Sequence, residues 1–521
     1  VASPYWKQNR IKNGVDKPIT NLTSKKRLFF SHEFFKSAMT ALTLQFPPLS
    51  DYINGKFCAP ALTLPAMLHD PNTGEAYASQ TATDPDALEL ALQSAYQAHQ
   101  TGIWRNTPAL ERADWLERVA EHLQGKSEAI AQTESASTGI VIELSRRLVA
   151  IVHLAFRTAA QQLREGRLVQ LLPGKFGNVE ILRKPLGVAV CIVPWNAPAP
   201  LAAHKIANAL AVGCPTILKP SEWAPYSCQF LAQAIHAVGL PAGVYQQVHG
   251  SAAVGATLVG DSRVRAVSFT GGLQGGRAVA AACAHEFKPM QLELGGNNAL
   301  VVLESANLEW AAQGVVRGLT TLNGQWCRAL GRLLVHEKVY PELLERALYA
   351  LSQVRVGHSL ESASQMGPLI HAAHRNVVMR SAEHLQTLGG RLLQSTPLPD
   401  SDGYWFAPTL VSDVSPDATL HETFGPLAVI HTFRSDEEAL RLANQPPFGL
   451  GGYVFGEENH ALQIARQMDT GGVKINGVQL IGLHPLAPRP AWHLSGYGVE
   501  GTVETFEFFT GQTVVGIAHR E

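Results

Sequence analysis

A single cysteine follows a glycine turn in Gly324-Gln325-Trp326-Cys327-Arg328. A thiolate can attack an electrophilic carbon and hold it covalently, provided a base and an oxyanion donor serve it. Two residues upstream have the right chemistry. Glu293 ends the run Met290-Gln-Leu-Glu before Gly295-Gly296, where a strand gives way to a turn and a carboxylate is free to act as general base. Asn196 lies in the proline-flanked loop Pro194-Trp-Asn-Ala-Pro198, and its amide is a good donor to a developing negative oxygen. Taken alone, each has an ordinary reading: an inert buried thiol, a solvated strand-end glutamate and a turn asparagine.

A second group of residues suits a dinucleotide. Lys219-Pro-Ser-Glu222 follows a short apolar run, and a glutamate there accepts from both ribose hydroxyls while disfavouring a 2′-phosphate. The same tetrapeptide also reads as a capped helix start. Gly271-Gly272 and Gly275-Gly276 stand between a strand pattern and a helix pattern, so backbone N–H groups can approach a pyrophosphate. Their spacing is not that of the generic dinucleotide fingerprint.

The elements that must hold these residues follow from periodicity. Tyr52 to Phe57 reads as strands around an Asn-Gly turn. Helical spacing covers Asp84 to Thr101, with Asp84 or Asp86 as cap, then Pro108 to Leu123 and Ser127 to about Leu163. Arg167 to Lys184 reads as a hairpin around Pro173-Gly174, placed to project and pair with another subunit. Short apolar runs at 187–193, 215–218, 244–248, 264–269 and 290–294 alternate with helices. That alternation implies an α/β fold with a doubly wound parallel sheet whose ligands bind at the strands' carboxyl ends. A second alternating series from Asn298 to Gly477 implies another α/β domain, with Cys327 on a loop between helices. Residues 504–516 read as a further strand.

Totals limit the function. A chain of 521 residues should hold two or three domains. A net charge of -1 offers no field for nucleic acid or anionic lipid, so the partner is a small molecule. Six scattered cysteines lack disulfide or metal-ligand spacing, so no metal is expected and a reducing, cytoplasmic setting fits. The most apolar stretch, 187–214, is broken by prolines and Lys205 before it could span a membrane. Residues 1–38 carry eight Lys or Arg against Asp16 and Glu33 and read as a disordered basic arm or a leader.

In this order the motifs resemble the aldehyde dehydrogenase superfamily, from about Tyr52 to Thr513. The Pro-Trp-Asn loop is Pro194 to Asn196, followed by Lys205 in His204-Lys-Ile-Ala-Asn-Ala-Leu. Lys-Pro-Ser-Glu is Lys219 to Glu222, and the family's Phe-Thr-Gly-Ser turn appears as Phe269-Thr-Gly-Gly272, a departure that removes one hydroxyl near the pyrophosphate but keeps the backbone donors. Glu-Leu-Gly-Gly is Glu293 to Gly296, and Gly-Gln-x-Cys is Gly324 to Cys327. Glu-x-Phe-Gly-Pro is Glu422, Phe424, Gly425 and Pro426.

The resemblance implies that Cys327 attacks an aldehyde and that Asn196 and the Cys327 N–H hold the oxyanion. Hydride then passes to NAD, with NADP possible, and Glu293 activates the water that hydrolyses the thioester. It adds Lys205 to the catalytic group. Trp195, Lys219, Glu222, Gly272, Gly276, Glu422 and Phe424 become the cofactor site. The implied domains are a cofactor domain at 39–166 and 185–295 and a catalytic domain at 296–495. Small β elements at 167–184 and 496–521 are implied to form a homodimer or homotetramer.

The chain departs from the family near its end, where Arg489-Pro-Ala-Trp-His-Leu-Ser495-Gly-Tyr-Gly-Val-Glu500 keeps only the serine, two glycines and the glutamate. Arg328 and Arg489 could clamp an anionic substrate. Leu201, with Ala197, would leave a roomy passage that Trp326 narrows. Two other readings remain: a non-catalytic cofactor-binding member, motivated by the altered C-terminal motif, and a coenzyme A-acylating enzyme. The latter generally lacks the base found here as Glu293.

Overall fold

Short β-branched runs and amphipathic helices assemble two parallel-cored sheets in the computed structural model, which describes residues 46–480 and 482–519. The basic segment 1–38 lies outside the described residues. The first sheet has eight strands in the order Lys56–Cys58, Asp51–Ile53, Tyr245–Gln247, Thr216–Lys219, Val188–Ile192, Val264–Thr270, Met290–Glu293 and Gly496–Tyr497. The five from Tyr245–Gln247 to Met290–Glu293 are parallel. Val188–Ile192 is buried at every position, as a strand covered on both faces must be. The chain winds outward from it in one direction through Thr216–Lys219 and Tyr245–Gln247, then returns beside it as Val264–Thr270. That reversal opens a crevice at the strands' carboxyl ends. The Asn196 loop and the Gly271-Gly272 turn both leave from there.

The second sheet runs Arg391–Leu393, Thr409–Ser412, Leu427–Phe433, Leu330–His336, Asn298–Val302, Gly452–Phe455 and Val473–Ile475. Only its first pairing is antiparallel. A third, antiparallel sheet joins Val169–Gly174, Gly177–Pro185 and Thr510–Val515. The Asn54-Gly55 turn closes the first hairpin with both residues at positive φ. Asp84, rather than Asp86, caps helix Pro85–Thr101 by accepting from the amides of Asp86 and Ala87, a contact worth about 1 kcal/mol.

Three expectations about elements are corrected. The helical run from Ser127 is two helices, Ser127–Thr138 and Ile142–Arg164, because Gly139 takes the left-handed conformation (φ 80°) and ends the first. Residues 504–516 are not one strand: Thr502–Phe508 is a helix that buries Thr505, Phe506 and the following Phe509 before Thr510–Val515 begins. Cys327 is not between two helices. Helix Leu308–Thr320 precedes it, and strand Leu330–His336 follows.

Candidate active site

The cysteine loop is built from an uncommon backbone. Leu322, Asn323 and Gly324 lie consecutively at positive φ, 50°, 57° and 73°. A leucine there is strained and persists only where its surroundings hold it. They do so through Asn323, whose Nδ2 donates to the carbonyls of Gly139 (2.8 Å) and Pro368 (2.9 Å) while its Oδ1 accepts from Gly367 N (2.8 Å). Gly324 abuts Gly425 and Pro426, and a Cβ at 324 would come within 2.3 Å of Pro426 N. Downstream, Asn298 Nδ2 donates to the Cys327 carbonyl (3.0 Å) and the Tyr453 hydroxyl to that of Arg328 (2.8 Å). The sulfur is therefore presented by a loop fixed on both sides.

The cysteine is partly buried, and burial pushes its thiol up to about 12. Arg328 pulls the other way, while Glu293, Glu422 and Glu500 add to the rise. Glu293 closes strand Met290–Glu293, is 8% exposed, and its Oε1 has no hydrogen-bond partner among the described residues. Burial, then the negative charge of Glu500, raise its carboxyl to about 8, against Arg328, Lys205 and Arg489. Asn196 Nδ2 donates one hydrogen to the Gln325 carbonyl at 2.9 Å, which brings it to the cysteine loop with its second N–H to spare. The Cys327 N–H has no hydrogen bond among the described residues.

Lys205 does not touch Glu293 by hydrogen bond. It is fully buried, with Nζ 2.8 Å from Ser268 Oγ and 3.0 Å from Glu500 Oε1. Arg489 lies opposite Glu500 in a short antiparallel pairing, with Nη2 3.5 Å from its Oε2 and 3.4 Å from His204 Nε2. No motif in the sequence gives Glu500 a role. Its signal was its survival, with Ser495 and two glycines, inside the altered C-terminal motif. These survivors pack on the strand of Glu293. Gly496 is its register partner, Ser495 O accepts from Leu294 N (2.8 Å), and Ser495 Oγ accepts from Gly449 N (3.0 Å).

The crevice residues fit a dinucleotide. Lys219 Nζ and Glu222 Oε2 lie 3.5 Å apart just past strand Thr216–Lys219. Gly272 starts helix Leu273–His285 with no side-chain cap, and a Cβ there would meet nothing within 4 Å, so the helix start is open at that position. The buried Thr270 hydroxyl beside it has no partner among the described residues. Gly276 packs under Leu294, leaving no room for a side chain. Toward the cysteine, the Trp195 ring stands edge-on to Phe424 at 5.5 Å and to His374 at 5.1 Å. Glu422 Oε1 accepts from Gly296 N (2.9 Å), and its other oxygen lies where a Cβ on Gly295 would be, 1.9 Å away. The two glycines after Glu293 are thus the seat of Glu422. Burial raises the Glu422 carboxyl to about 7.

The remaining substrate candidates divide. Trp326 belongs to the second sheet's apolar cluster with Ile140, Leu322 and Val478 and is 5% exposed. Leu201 packs on the first sheet's cluster. Arg328, next to the cysteine in the chain, donates from Nη1 to Leu450 O at 2.7 Å, and its charge helps to lower the thiol.

A cysteine on a fixed loop and a buried carboxylate at the crevice of a dinucleotide-type sheet fit a class, the nicotinamide-dependent oxidoreductases that work through a thiol. Residues 64–515 match the aldehyde dehydrogenase family, and the chain belongs to that family. It is an NAD(P)-dependent aldehyde dehydrogenase. It is 33% identical over 432 residues to geranial dehydrogenase of Castellaniella defragrans, covering 82% of this chain and 90% of that one. It is 32% identical over 445 residues to succinate-semialdehyde dehydrogenase of Paenarthrobacter nicotinovorans, covering 84% and 98%. Its fold matches the crystal structure of Staphylococcus aureus betaine aldehyde dehydrogenase in complex with NAD+, with a TM-score of 0.85 at 27% identity over 90% of this chain and 94% of that one.

Proposed function

We propose that the chain oxidises its aldehyde through Cys327, with Glu293 as the base that releases the acid. The observation that carries this is Glu293 itself: a buried carboxylate with one free oxygen and a raised pKa, sharing an electrostatic environment with a thiol on a rigid loop. The Cys327 thiol loses its proton to solvent, the sulfur adds to the aldehyde carbon, and the resulting oxyanion takes hydrogen bonds from the Cys327 N–H and the second N–H of Asn196. Bound NAD(P)+ supplies the hydride acceptor. The acyl group is left as a thioester on sulfur. Glu293 then removes a proton from water, whose oxygen attacks the acyl carbon as the carbon–sulfur bond breaks. Lys205 acts from behind, through Glu500.

Trp195, Lys219, Glu222, Gly272, Gly276, Glu422 and Phe424 would hold the cofactor. Glu222 favours NAD, because a second carboxylate oxygen suits a ribose hydroxyl and repels a 2′-phosphate. The third sheet exposes Val169, Leu171, Leu172, Val514 and Val515, an apolar edge suited to a dimer or tetramer. Among the described residues no helix is long and apolar enough to cross a membrane, and all six cysteines are unpaired, which suits a reducing cytoplasm.

Rapid mixing with NAD and an aldehyde tests the roles. Cys327→Ala is expected to bind NAD and form no NADH. Glu293→Gln is expected to give one burst of NADH per site followed by a stalled thioester, and steady turnover near wild type in that variant would remove Glu293 as the base.

A further inference from the structure

The dehydrogenases similar to this chain act on a neutral terpene aldehyde, an anionic semialdehyde and a cationic betaine aldehyde, so kinship does not choose the substrate's charge. The side chains around the sulfur do. Arg328 follows the nucleophile, and its backbone is pinned by Tyr453. Its guanidinium runs past Gly451 and Gly472, with Nη1 3.2 Å and 3.7 Å from where their Cβ atoms would stand. Only Nη1 is engaged, with Leu450 O; Nε and Nη2 have no partner among the described residues. Five N–H donors on a half-buried fork with one in use is an arrangement that a carboxylate completes.

Around the sulfur the cations outnumber the one acid held charged, Glu500. Lys474, whose Nζ donates to Gln479 O, is lowered to about 8 by burial and then by the nearby Arg328 charge. Arg489 and Lys205 are cations with Glu500 between them. The acids that face the sulfur, Glu293 and Glu422, are raised by burial to about 8 and about 7, so near neutrality neither is fully charged. The anion clamp expected from the sequence thus separates into unlike halves: Arg489 is committed to Glu500, while Arg328 keeps two donor positions open.

We propose that Arg328 binds the acidic end of the substrate, so that the aldehyde this enzyme oxidises carries a carboxylate. This rests on Cys327 as the nucleophile. It makes Arg328 a specificity-determining residue and sets the site against cationic aldehydes.

The test reads the thiol directly, without cofactor or turnover. Cys327 is alkylated with iodoacetate and, separately, with iodoacetamide, in a Cys58→Ser background that removes the exposed cysteine, and its peptide is followed by mass spectrometry. Both reagents need the same thiolate, so the ratio of their rates cancels its pKa and reports attraction for the carboxylate. Relative to N-acetylcysteine, the ratio is expected to favour iodoacetate by about tenfold, the worth of one charge-assisted pair. It should fall to the reference in Arg328→Met and lie between in Arg328→Lys. A wild-type ratio at or below the reference overturns the proposal, whatever the variants do.

The turnover arm compares kcat/KM for succinate semialdehyde with that for butanal. The proposal expects the semialdehyde to be preferred by at least about tenfold, with that preference lost in Arg328→Met. Equal use of both aldehydes overturns it while leaving the oxidation chemistry intact. Silence on both aldehydes with a raised alkylation ratio would instead strike at the catalytic reading and leave the anion site standing.

Discussion

Glu293 and Glu500 are both buried glutamates, 8% and 6% exposed, yet their environments drive them in opposite directions. Glu293 has an oxygen without a partner, and burial raises it to about 8. Glu500 is also pushed up by burial, but the Lys205 ammonium at 3.0 Å, with His204 and Arg489 beyond, reverses that and holds it well below the usual carboxylate range. Depth alone therefore does not decide ionisation in this site; the placing of cations does. One carboxylate is shifted so that it exchanges its proton near pH 8, while the other stays charged beside a buried lysine.

The largest way to break that contrast is Lys205→Met. It leaves Glu500 buried with only the more distant Arg489 and His204, and losing one partner of such a pair costs about 3–5 kcal/mol. Chemical denaturation measures this, and a loss below about 1 kcal/mol would mean that Glu500 does not depend on Lys205. A middle effect is the pH profile. Glu293 is a base only when deprotonated, so steady turnover should rise as pH rises through about 8 and level off above it. The acylation burst needs the thiolate instead, so it should go on rising above pH 8, where turnover levels off. A flat profile from pH 6 to 9 would remove the raised carboxyl from the slow step.

The smallest effect is expected from Arg489→Leu. Its guanidinium is 40% exposed and 3.5 Å from Glu500, so solvent screens it. Because Arg489 helps to lower Glu293, its removal should move the turnover limb to higher pH by less than about one pH unit. A larger shift would put Arg489 on a par with Lys205.

Much of this site was legible as motifs because each carries its own local reason. A glycine pair after a strand, a proline-flanked loop and Gly-Gln-x-Cys are short patterns whose residues act near where they stand in the chain. What was not legible is long-range. Arg489 read as half of a substrate clamp because nothing in its neighbourhood names Glu500 as its pairing partner across a tiny hairpin. Thr505 to Phe509 alternates like a strand, but burial of Thr505, Phe506 and Phe509 against the first sheet's helical layer selects a helix. The altered C-terminal motif looked like damage. It keeps the positions that touch the strand of Glu293, and Arg489 within it pairs with Glu500.

The run from Leu322 to Gly324 also bears on how the protein folds. Its shape is not written in local preference, since a leucine does not settle at positive φ unaided. It depends on Asn323 reaching residues 139, 367 and 368, which belong to distant stretches of chain. The loop can therefore take its form only after those stretches have met, late in assembly. In the reverse direction, local opening at any of the three anchors releases the sulfur's geometry while both sheets remain intact. Enzymatic competence is thus a stricter report of the native state than helix content, and heating should extinguish it first.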